Sequence, residues 1–78
     1  MQMMPNEGNE YEFRFVAGAL IRKHFRQMLE SERFSGRDVR WMEDKGWIES
    51  IFRVKGNATD AKAIESRIYA YMKILDEA

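Results

Sequence analysis

The stretch DVRWMEDKGWIESIFRV, residues 38–54, predicts a β-hairpin, because apolar and polar residues alternate on both sides of Lys45-Gly46. A connection with an even number of residues, either Lys45-Gly46 or residues 43–46, places the apolar side chains of both strands on one face. A three-residue connection would place Trp41 on the same face as Glu49. A shift of one position in the pairing moves every side chain of a strand to the opposite face. Burial therefore favours the even connection. Its core face holds Val39, Trp41, Ile48, Phe52 and Val54, and its far face holds Arg40, Met42, Trp47, Glu49, Ile51 and Arg53.

The segment EYEFRFV, residues 10–16, shows the same alternation and predicts a further strand. Its three aromatic residues share one face, as in a half-buried strand. An alternative remains open, because Asn9 and Glu12 have the spacing of a helix capping box. In that case, residues 10–33 form one long helix.

Two other segments have the periodicity of amphipathic helices. The first spans residues 19–33, and Gly36 suits the position just after its C-terminus. The second spans residues 57–78, and either Asn57 or Thr59 can cap its N-terminus. The apolar stripes are Ile21, Phe25 and Met28, flanked by Ala17 and Leu29, in the first helix, and Ala61, Ile64, Ile68, Tyr71, Met72 and Leu75 in the second.

The fold class that follows is α+β, in the order β-α-β-β-α. Since each helix has one main apolar stripe, the expected architecture is a two-layer sandwich with both helices on one face of a three-stranded sheet. The alternative with the long first helix has the order α-β-β-α. Residues 10–78 form one small domain in either case. Residues 1–9 lack apolar periodicity and are expected to be a disordered tail.

Composition limits the classes of function. The 78 residues include 13 basic and 13 acidic side chains, so no net charge drives binding to nucleic acid. The absence of cysteine excludes disulfides and thiolate metal sites, and favours a cytoplasmic protein. No stretch is apolar enough to be a signal peptide or to cross a membrane, so we expect no membrane partner.

Catalytic motifs are absent from the sequence. There is no Gly-x-Ser-x-Gly elbow and no glycine-rich phosphate loop. The one histidine, His24, lies beside the apolar stripe of the first helix and is expected to cover the edge of the core. Glu43 and Asp44 are adjacent and point to opposite faces of a strand, so we interpret them as solvated turn residues. We therefore expect a non-enzymatic protein without cofactor or metal.

The uncovered face of the sheet is the main candidate site. Two helices cover only one side, which leaves Met42, Trp47 and Ile51 on the other side with Arg40 and Arg53 at their margin. Tryptophan, arginine and methionine are enriched at interface centres. This pattern predicts binding of a protein partner or of a second copy of the chain. The competing interpretation is that the arginines pack on Trp47 and shield it.

The first helix carries a second candidate site, a basic ridge formed by Arg22, Lys23, Arg26 and Arg33. Together with Trp47 and its neighbouring arginines, this ridge suits a nucleic-acid-binding module, because aromatic rings stack on bases while arginines hold phosphates. The simpler alternative is a solvated helix face, in which Arg26 pairs with Glu30.

Overall fold

The computed structural model describes residues 10–77. The predicted N-terminal tail, residues 1–9, lies outside the described residues. The element order β-α-β-β-α and the α+β class are confirmed. The strands and helices are β1 (Glu10–Gly18), α1 (Arg22–Phe34), β2 (Val39–Lys45), β3 (Glu49–Asn57) and α2 (Ala58–Glu77).

The first segment is a strand, and the alternative of one long helix is wrong. Phe13, Phe15 and Ala17 are buried while the residues between them are exposed, as the alternation predicts. The helix α1 begins only at Arg22, three residues later than predicted, because pairing of β1 with β3 continues to Gly18. A single helix over residues 10–33 would bury only some of the apolar side chains in this segment.

The sheet has the order β1-β3-β2, and both pairings are antiparallel. The edge strands β1 and β2 are consequently parallel to each other on either side of β3. The helix α1 connects these two edges by crossing one face of the sheet. The helix α2 packs against β1 and β3 on the same face.

One hydrophobic core joins the inner face of the sheet to both helices. The ring of Phe15 stacks on Phe52 at 5.0 Å between ring centroids, and Phe25 meets Phe15 edge-on at the same distance. The predicted stripe of α1 is confirmed by Phe25 and Leu29, which are fully buried. The core consists of Phe13, Phe15, Ala17, Phe25, Leu29, Val39, Phe52, Val54, Ala61, Ile64 and Ile68.

The connection of the hairpin has an even number of residues, as predicted, but not at the predicted position. Lys45 pairs with Ser50, so residues 46–49 form the connection, and the predicted connections over 45–46 or 43–46 are wrong because β2 stays paired through Lys45. Trp41 lies on the core face opposite Val54 and packs on Phe52 at 5.9 Å between ring centroids. The prediction for Ile48 is wrong, since its side chain is 78 % exposed. Ile48 lies in the connection, where the alternation of a strand no longer determines which way a side chain points.

Both helix ends near the start of β2 have the expected residues. Gly36 has a φ of 104° and follows α1, where its N–H donates to the carbonyl of Arg33. Asn57 caps α2, because its Oδ1 accepts a hydrogen bond of 2.8 Å from the N–H of Asp60. These two ends fix where the helices leave the sheet.

Candidate protein-interaction surface

The outer face of the sheet is uncovered by any element within residues 10–77. Cross-strand pairing aligns its side chains in rows, such as Arg14–Arg53–Met42 and Val16–Ile51–Asp44. We call this surface the open face. It consists of Glu12, Arg14, Val16, Arg40, Met42, Asp44, Ile51, Arg53 and Lys55.

The structure places four of the five predicted partner-binding residues on the open face: Arg40, Met42, Ile51 and Arg53. Met42 is 67 % exposed. Met42 and Ile51 form an apolar strip on this face. Val16, which the sequence analysis did not identify as a site residue, lies directly opposite Ile51 and extends the strip onto β1. The strip therefore crosses all three strands.

The prediction that Trp47 lies on the outer face of the sheet is wrong, because Trp47 lies in the connection between β2 and β3, outside both strands. Its side chain is 97 % exposed, so no arginine shields it. The N–H of Ala19 donates to the carbonyl of Ile48 at 2.8 Å, which brings the β1–α1 and β2–β3 connections together. Leu20, in the first connection, is also 97 % exposed. Leu20, Trp47 and Ile48 are thus exposed at the same end of the sheet, and we call the surface that these three residues form the apolar end.

Three arginines of the predicted basic ridge make internal contacts. Arg26 donates to both carboxylate oxygens of Glu43, at 2.6 Å and 2.9 Å. Arg22 donates to the carbonyl of Gly46 at 2.7 Å. Arg33 pairs with Glu30 on the same helix at 3.1 Å. Lys23 is exposed. Arg22 and Arg26 thus hold α1 to the hairpin, and the expected pairing of Arg26 with Glu30 is replaced by the pairing with Glu43.

Glu43 is an internal residue, and its interpretation as solvated turn polarity is wrong. Its side chain is 12 % exposed and also accepts a hydrogen bond of 2.5 Å from Ser50 Oγ. The hydrogen bonds from Arg26 lower the pKa of Glu43 to about 2, with smaller contributions from Ser50 and the charge of Arg22. Glu43 has the same parity as Val39 and Trp41 in the strand, which is the sequence signal for an inward position.

The remaining polar clusters also link elements of the fold. The buried carboxylate of Glu32 pairs with Arg37 and Arg67, which joins α1 to α2 and to the start of β2.

The predicted position of His24 at the core edge is confirmed, since its ring stacks on Tyr71 at 4.4 Å between centroids. In the part of the chain that the structure describes, no three His, Asp or Glu residues converge to hold a metal ion.

Comparison with known proteins finds no match among protein-family models, curated protein sequences or solved structures. Neither α1 nor α2 is long and apolar enough to cross a membrane.

Proposed function

We propose that this chain is a small non-enzymatic domain that binds a protein partner, or a second copy of itself, through the open face and the adjoining apolar end. The observation that carries the proposal is the apolar strip of Val16, Ile51 and Met42 on a sheet face that no described element covers. Contiguous exposed apolar surface with a polar rim is typical of protein contact sites.

The apolar end adds a second source of binding energy. Leu20, Trp47 and Ile48 each expose more than three quarters of the side chain at one end of the sheet. Tryptophan is among the residues that most often dominate an interface. A partner that lies along the open face and reaches this end would bury both surfaces.

The nucleic-acid-binding alternative has less support. Of its four helix residues, Arg22, Arg26 and Arg33 already bond within the fold, and only Lys23 is fully available. Phosphate binding depends on cations that release counterions, so engaged arginines contribute less.

The absence of cysteine remains the reason for placing the protein in the cytoplasm, which is part of the same proposal.

Site-specific photo-crosslinking in the native cells tests the proposal and captures the partner in the same step. A benzophenone amino acid replaces Met42 or Trp47 in the full chain, and Gln27, exposed on α1, is the matched control position. We expect the same crosslinked protein from both test positions and none from the control. Equal products from all three positions, or no product from Met42 and Trp47, would refute the proposal.

Sedimentation tests the self-association form of the proposal. If the chain dimerises, Trp47→Ala should weaken the dimer by about 2 kcal/mol, roughly thirtyfold. Phe34→Ala removes another exposed aromatic ring, 87 % exposed on α1, and should leave association unchanged. A monomer at all concentrations would leave the partner form as the only version of the proposal.

A further inference from the structure

Two arginines face each other at the centre of the open face. Arg14 on β1 is directly opposite Arg53 on β3, and both side chains are exposed. Directly opposed residues on one sheet face have Cβ atoms about 5 Å apart, so like charges in this position repel. Among the side chains of residues 10–76, no carboxylate lies within 4 Å of either guanidinium.

The neighbouring charges do not compensate this pair. The carboxylate of Glu10 lies 3.5 Å from the guanidinium of Arg40 and 3.8 Å from Lys55 Nζ, so Glu10 pairs with the cations of the next row. Glu12 is opposite Lys55, one row away from the arginine pair. The four cations Arg14, Arg40, Arg53 and Lys55 thus have two carboxylates beside them, Glu10 and Glu12, and the excess positive charge is centred on Arg14 and Arg53.

The surroundings of the pair are apolar on two sides. Met42 is the cross-strand neighbour of Arg53 on β2, and the pair Val16–Ile51 forms the next row. Arg53 borders surface depressions on both sides. One is lined also by Met42, Glu43, Asp44 and Ile51, and the other by Glu12, Phe13 and Arg14. A ligand that fills this site needs an anionic group between the two guanidiniums and apolar groups beside it.

We propose that Arg14 and Arg53 together bind a carboxylate side chain of the partner, held in a segment where acidic and apolar residues are adjacent. The inference rests on the proposed function and specifies the chemistry of its partner. Two guanidinium groups suit a carboxylate, because each presents paired donors to its oxygens. Binding would also relieve the repulsion that the free protein retains.

A peptide carboxylate fits this site better than a nucleic-acid phosphate backbone. A phosphate backbone needs a row of cations along its path. Here Asp44 borders the apolar strip on one side and Glu12 borders the arginine pair on the other. Arg40 and Lys55 in the next row pair with Glu10, so the unpaired positive charge is confined to Arg14 and Arg53 beside apolar surface, which matches an acidic residue with apolar neighbours.

The test selects 12-residue peptides from a random phage library on the folded full chain. The selected peptides are expected to contain Asp or Glu next to apolar residues, and to shift the NMR signals of the open face. The affinity of the best synthetic peptide should fall at least about tenfold for the double variant Arg14→Gln, Arg53→Gln. The control Lys23→Gln, Lys73→Gln makes the same change in net charge at exposed helix positions and should change affinity less than about twofold.

The outcomes separate this inference from the proposed function. Peptides that bind the open face without acidic residues, or bind both double variants equally, overturn the carboxylate site and leave the proposed function standing. Peptides that all bind elsewhere overturn both. A single-stranded oligonucleotide that binds more tightly than the peptides and depends on the same two arginines would replace the carboxylate by a phosphate and overturn the inference.

Thermal unfolding of Arg53→Gln supplies a readout that needs no ligand. If the pair is uncompensated, removing one charge relieves repulsion and should raise the unfolding midpoint by about 1–4 °C. An arginine with an internal stabilising partner would give a lower midpoint instead. That result would contradict the premise that the pair awaits an anion.

Discussion

Glu43→Gln tests the contact that holds α1 to the hairpin. The substitution keeps the shape of the side chain and removes the charge that Arg26 contacts with two hydrogen bonds. The change in the pKa of Glu43 from 4.5 to about 2 corresponds to at most about 3 kcal/mol. Water screens Arg26, whose side chain is 33 % exposed, so we expect Glu43→Gln to lower the free energy of unfolding by about 2 kcal/mol at neutral pH.

The pH dependence identifies the cause of that loss. Because folding lowers the pKa of Glu43, its contribution is complete above the unfolded-state value of about 4.5 and is lost as the pH falls toward about 2. The stability difference between wild type and Glu43→Gln should therefore shrink between about pH 5 and pH 2. Urea unfolding followed by far-UV circular dichroism at several pH values measures this difference.

Two results would refute this reasoning. A difference that stays constant as the pH falls would mean that shape, and not charge, accounts for the loss. The control Asp44→Asn changes the adjacent, exposed carboxylate and should cost less than about 0.5 kcal/mol. An equal loss for Asp44→Asn would show a general charge effect in the hairpin, with no special role for the contact to Arg26.

Three further predictions concern the stability of the same fold, each measured by urea unfolding. Trp41→Ala should cost about 3 kcal/mol because the ring packs in the core, whereas Trp47→Ala should cost less than about 0.5 kcal/mol; the reverse order would contradict the assigned register. Gly56→Ala should cost about 2 kcal/mol or more, because the new Cβ would clash with the backbone carbonyl oxygen of Asp38, and a neutral result would mean that β2 moves freely there. Asn57→Ala removes the helix cap and should cost about 1 kcal/mol, while Asn57→Asp, which keeps the acceptor, should cost less.

Local patterns in the sequence predict most of the fold. The alternation in the three strands and the apolar stripe of α2 show which side chains must be buried together. The structure buries side chains on the same faces of these elements. The even connection of the hairpin follows from the same argument. The positions of Asn57 and Gly36 at helix ends are also predicted, because asparagine is favoured as an N-cap and glycine is favoured just after a C-terminus.

The strand order and the site geometry depend on tertiary contacts that a local pattern does not contain. Nothing in the sequence of β1 distinguishes β3 from β2 as its partner, so Arg14 could not be placed opposite Arg53. The alternation predicts Trp47 on the outer face of the sheet. The geometry of the connection determines how many residues stay paired next to the turn, and it leaves Trp47 outside the strands. The sequence favours a solvated Glu43, because charged residues are rarely internal unless a partner reaches them, and that partner comes from α1.

The central position of β3 has a consequence for the order of folding. The hairpin joins residues close in sequence, beginning with Lys45 and Ser50, whereas β1 pairs with β3 across more than 30 positions, from Gly18–Glu49 to Glu10–Asn57. Closing the longer loop costs more chain entropy, so we expect the hairpin to form first and β1 to add last. Until it adds, one edge of β3 is open and Phe52 lacks the ring that stacks on it. The β1 segment of a second chain can occupy that edge, so concentrated refolding should produce strand-exchanged dimers that dilution suppresses.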